Sequence, residues 1–146
     1  MQAISLLKPH VLIVANCDAD LPDVADDQRD LLKQLSIVTC EIQTLEIHSA
    51  QLDAKVLDHF ATADSLELAW VFRGQLAPQN ARLIAARPNI VTLLLNCDGI
   101  PMESVAVLRD AGNVTTVYYK DDWQPRTIAA LQREWREVEW LPLSAR

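Results

Sequence analysis

Apolar and polar positions alternate in blocks along this chain of 146 residues. Short apolar runs stop in polar or turn residues, and a helical pattern follows each. Val11–Ala15 is the first run, and Asn16-Cys-Asp-Ala-Asp20 follows it. A second, Val91-Thr-Leu-Leu-Leu-Asn-Cys-Asp-Gly99, ends in the same Asn-Cys-Asp. Such runs read as buried parallel strands. The pattern predicts strands at Val11–Ala15, Ser36–Ile47, Leu66–Phe72, Ile90–Leu95 and Val114–Tyr119.

Helices are expected between them. Asp20 and Pro22 open the first, with Leu21, Val24, Leu31, Leu32 and Leu35 as its apolar stripe. Ser49 caps a second that runs to Phe60, burying Leu52 and Val56. Pro78 opens a third with Leu83 and Ile84 inward, stopped by Pro88. Pro101 to Ala111 forms a fourth carrying Val105 and Leu108, with Gly112 as a left-handed cap. After Pro125 a last helix places Ile128, Leu131, Trp135 and Val138 on one face. Trp140-Leu-Pro-Leu143 is then left as an apolar tail within residues 140–146, with Pro142 preventing further helix.

Five alternations of strand and helix with short connections predict one α/β domain over residues 1–146. The expected form is three-layered and flavodoxin-like (Rossmann-like), with a five-stranded parallel sheet in the order 2-1-3-4-5. In such folds ligands gather at the carboxyl ends of the strands. Asn16, Asp18, Asp20, Arg73, Asn96, Asp98 and Lys120 are therefore the expected edge residues for a ligand or partner.

Composition narrows the chemistry. Half the residues are hydrophobic, which suits a globular core. A formal charge of -7 with no basic run argues against nucleic acid as partner. Glycine occurs only at Gly74, Gly99 and Gly112, too few for a phosphate-cradling loop, and Asp18, Asp20 and Asp23 would repel phosphates. No cofactor is expected. Cys17, Cys40 and Cys97 lack secreted-type spacing, and Met1–His10 holds no apolar stretch long enough for a signal peptide. Free thiols in a reducing cytoplasm, without a membrane span, are the expectation. Cys17, Asp18, Cys97 and Asp98 could meet in one crevice, but the short local spacing of zinc ligands is missing and no metal is assigned.

Cys97 is the one candidate nucleophile, at a strand end before a helix. A base would have to come from His10, His48 or His59, and no spacing ties them to it.

The strand exits resemble those of response-regulator receiver domains. Asp18 and Asp20 would match that family's acidic pair. Lys120, approached through Ala111-Gly-Asn-Val-Thr-Thr-Val-Tyr-Tyr, would match its lysine. Arg73 stands where the family carries its phosphoacceptor aspartate, Cys97 where it carries Ser or Thr, and no proline follows Lys120. The resemblance implies a pseudo-receiver: a signalling or protein-interaction module that takes no phosphate on aspartate in the usual way. Leu93-Leu-Leu-Asn-Cys-Asp-Gly99 is also similar to the strand of caspase-like CHAT domains that leads to their nucleophilic cysteine. That would make Cys97 the nucleophile, although Arg73-Gly74 replaces the family's His-Gly pair.

The leading expectation is thus a non-enzymatic interaction module. The alternatives are a Cys97-dependent hydrolase or a small-ligand or cation sensor at the strand edge. Two contacts are expected. Arg73 pairs with Asp18 or Asp20, and Trp140 and Leu143 either fold back or hold a protein partner or a second copy.

Overall fold

The computed structural model describes residues 11–15, 43–48, 52, 54–61 and 63–146. Six strands form one sheet: β1 Val11–Ala15, β2 Thr44–His48, β3 Leu66–Val71, β4 Ile90–Asn96, β5 Thr116–Tyr119 and β6 Glu139–Pro142. The helices among the described residues are α1 Ala54–His59, α2 Pro78–Ala85, α3 Met102–Ala111 and α4 Pro125–Glu134. A 3-10 turn, Leu143–Ala145, follows β6.

Every neighbouring pair of strands is parallel, as expected. The order is not. The strands lie in the sequence β1-β2-β3-β4-β5-β6, so the predicted 2-1-3-4-5 order does not form. In the predicted order the chain would reverse direction across the sheet after the second strand. Here each crossover steps the same way. Right-handed crossovers that always step the same way put their helices on one face of the sheet.

The side chains agree with that geometry. Register places Leu45, Leu68, Leu93, Val117 and Trp140 in one row, and Ile47, Trp70, Leu95 and Tyr119 in another. These two rows share one core with Ile84 of α2, Val105 and Leu108 of α3, and Leu131 of α4. Each fully buried leucine or valine here contributes about 1.5–3 kcal/mol. The intervening row, Glu46, Ala69, Leu94, Tyr118 and Leu141, points the other way and is no part of that core. The second helical layer of a three-layer sandwich is not found among the described residues.

The ladder repeats. The aligned residues Thr44, Glu67, Thr92, Thr116 and Glu139 are 23, 25, 24 and 23 residues apart. That spacing falls within the roughly 20–29 residues of short α/β solenoid repeats. The wiring between units repeats as well. Asn89 Nδ2 donates to the carbonyls of Phe60 and Ala63 (2.8 and 3.1 Å), one unit back. Asn113 Nδ2 does the same for Arg87 and Ile90 (3.0 and 2.9 Å). Ser104 Oγ donates to Leu76 O at 2.6 Å, and Trp123 Nε1 to Cys97 O at 2.7 Å. A bulge between Leu66 and Glu67 absorbs the extra residue of the following unit.

Proline opens α2 and α4 at their first positions, where its missing N–H is harmless. Gly112 closes α3 at φ 70, the expected left-handed cap. The last helix is shorter than the apolar stripe predicted. It stops at Glu134, and Trp135 leaves helical geometry (φ -131, ψ 76) so that the chain can enter β6. Trp135 and Val138 are still buried, but from the connection. The stretch read as a tail is therefore largely strand.

Candidate functional site

The exits of β3, β4 and β5 lie side by side. Asp98 N donates to Gly74 O at 2.7 Å, and Leu76 N to Gly99 O at 3.0 Å. Gln75 and Gly99 form a single parallel bridge that prolongs the sheet beyond β3 and β4. Gly74 takes φ 133, a conformation that L side chains rarely adopt, and a Cβ there would stand 2.5 Å from the Phe72 ring. The close approach of Gly74 to Asp98 thus requires glycine.

Asp98 is fixed from two sides. Its Oδ2 accepts from Gly74 N at 2.8 Å, and its Oδ1 lies 3.8 Å from Lys120 Nζ. Lys120 follows β5 and is nearer to Asp122, at 2.9 Å. The hydrogen bond to Asp122 raises the Lys120 ammonium above its ordinary pKa, and Asp98 adds to the effect. A lysine held in its charged form is neither a base nor a nucleophile at neutral pH.

Cys97 is 1% exposed beneath this cluster, and its Sγ contacts Gly99 O at 3.5 Å. Burial pushes its thiol up. The Gly99 backbone opposes this, Asp98 pushes the same way as burial, and Lys120 opposes it more weakly. Reactive cysteines need the opposite environment, accessible and electropositive. Among the described residues no group of three or more His, Cys, Asp or Glu side chains is placed to hold a metal.

Of the residues named from sequence, the structure brings Asp98 and Lys120 together. Asn96 ends β4 and is exposed, as is Arg73 after β3. Asn16, Asp18 and Asp20 lie outside the described residues, and so does the expected pairing of Arg73. Trp140 lies in β6, 7% exposed, edge-on to Trp135 at 5.9 Å, with its Nε1–H donating to Trp135 O. Its bulk is spent inside the chain, while Leu143 is half-buried in the following turn. Sequence reading missed Asp122 and Gly74 as partners of the edge. The Lys120-Asp-Asp122 run at a strand exit was the available signal for the first.

A second group of polar residues lies on the sheet face opposite the core. Glu46 and His48 of β2 meet at 2.5 Å. Glu67 of β3 accepts from Thr44 Oγ1 and pairs with Arg146, both at 2.6 Å. Leu94 and Tyr118 stand between these groups and the far edge of the sheet. None of this was legible before the strand order was known.

Comparison with family models, with curated proteins and with solved structures returns no match. No helix among the described residues is long and apolar enough to cross a membrane.

Proposed function

We propose that this chain is a non-enzymatic protein-interaction module whose partner docks on the sheet face opposite the core described above. The observation that carries the reading is the sequential ladder. It gathers Glu46, Ala69, Leu94, Tyr118 and Leu141 into one row away from the core, with Ala69 and Leu94 buried and Glu46, Tyr118 and Leu141 partly exposed. Repeat arrays use such extended faces for binding. A mixed row of aromatic, aliphatic and acidic side chains suits a protein segment better than a small metabolite, which needs an enclosing pocket.

In its narrower form the proposal is a receiver-like signalling module without a phosphoacceptor, working in the cytoplasm. Lys120 after β5 and Arg73 after β3 support that form, whereas the strand order departs from that of receivers. The Cys97 hydrolase is disfavoured by the burial of its thiol and the absence, among the described residues, of an imidazole contact to it.

A photo-crosslinking amino acid at Tyr118 tests the reading against the same group at Arg133, exposed on the helical side. A discrete protein adduct from position 118 and none from 133 is the expected outcome inside cells. Adducts from neither position, together with rapid acylation of Cys97 by an activated ester at neutral pH, would replace the interaction module with the hydrolase.

A further inference from the structure

The segment after β6 crosses the face assigned above to a partner. Ser144 is anchored at the exit of β5, its hydroxyl donating to Asp121 Oδ1 at 2.7 Å and its backbone N–H at 3.3 Å. Two residues later Arg146 Nη2 reaches Glu67 Oε1 at 2.6 Å. Glu67 is two strands away, about 10 Å across the sheet, and about five residues, or roughly 16 Å, back toward the amino edge. Because the core fills the other side, the link between these anchors runs diagonally over the opposite face. Leu94 of β4 and Tyr118 of β5 lie on that diagonal.

Glu67 is prepared for a guanidinium. The Thr44 hydroxyl fixes its Oε1, and Glu46 adds a second carboxylate on the adjacent strand. Both glutamates are more than two-thirds buried, so a cation seated there is only partly screened by water. The Arg146 side chain is 41% exposed, however, and pairs this open are weak enough to be exchanged. The formal charge of -7 favours a basic partner in the same sense.

We propose that Glu67 is the seat for an arginine of a partner protein segment, and that Arg146 occupies this seat in the free chain. The inference rests on the interaction reading and adds to it the chemistry of the partner and a built-in competitor. Displacing Arg146 frees the Glu67 carboxylate, and an incoming arginine takes it. No bond is made or broken, so the device is reversible.

The probe is a blocked hexapeptide, Leu-Pro-Leu-Ser-Ala-Arg, matching residues 141–146, and a version with glutamine in the last place. Each is titrated by NMR against the wild-type chain, Arg146→Ala and Arg146→Ala/Glu67→Gln, reading the Thr92 and Tyr118 amides. Arg146 is exposed and Glu67 partly so, and matching circular dichroism confirms folding of each variant. Arg146→Ala should bind the arginine peptide about two- to fivefold more tightly than wild type, the worth of one open ion pair. The double variant should lose that gain, and the glutamine peptide should not show it. Equal binding to wild type and Arg146→Ala, or retained binding by the double variant, would overturn the seat. Failure of every chain to bind would also overturn it, whereas the interaction reading would still stand or fall on the Tyr118 adduct.

Discussion

Two asparagines illustrate how single side chains hold one unit to the next. Asn113 supplies hydrogen bonds to carbonyls of the preceding turn. Asn113→Ala would leave those acceptors without their donor, and we expect a loss of about 2 kcal/mol in denaturant unfolding. Gly74→Ala faces both the Phe72 ring and an unfavourable φ, and we expect it to cost about 1–3 kcal/mol. Cys97 makes two predictions. Its peptide should label slowly with iodoacetamide at pH 7 in the native chain and quickly once unfolded, as read by mass spectrometry. Its native pKa is raised, so its contribution is fully present below the unfolded value and is lost as pH climbs through the native one. Stability should therefore decline from near pH 9 upward, and Cys97→Ala should flatten that decline. The sequence showed Cys97 as a strand-end thiol. It could not show that Trp123, packed against Tyr119, would close over the same exit and bond its carbonyl.

Elements were more legible than contacts. β1, β3, β4 and the three helices led by Pro78, Pro101 and Pro125 fall within a few residues of their predicted places, because apolar runs and proline punctuation act locally. β6 was missed because four residues containing a proline carry almost no strand signal. Its position gives that proline a purpose. In a parallel ladder alternate residues face the neighbouring strand, and Glu139 N already bonds Thr115 O of the β5 side. Trp140 and Pro142 consequently turn their backbone groups toward the open edge. Proline offers no N–H there, which blunts the edge against pairing with another chain. Pro142→Val should restore the donor and promote self-association, seen as a concentration-dependent rise in sedimentation coefficient. A monomer unchanged to high concentration would show that the edge is protected by other means.

At the scale of the whole chain the sequence disclosed an all-parallel α/β sheet but not its order. Alternating strand and helix is compatible with stepping left or right at each crossover. The choice at β2 depends on packing that no local pattern records. The sequential result has a thermal consequence. Element contacts run from each unit to the next, so the array behaves as a one-dimensional stack whose ends can melt ahead of its middle. The Arg146–Glu67 pair is an exception, linking positions 79 residues apart. We expect it to act on cooperativity more than on total free energy. Arg146→Ala should hardly move the midpoint of melting, yet broaden the transition and lower its van't Hoff enthalpy below the calorimetric one. A partner arginine that displaces Arg146 would then loosen the last unit from the third, turning a binding event into a local change of stiffness.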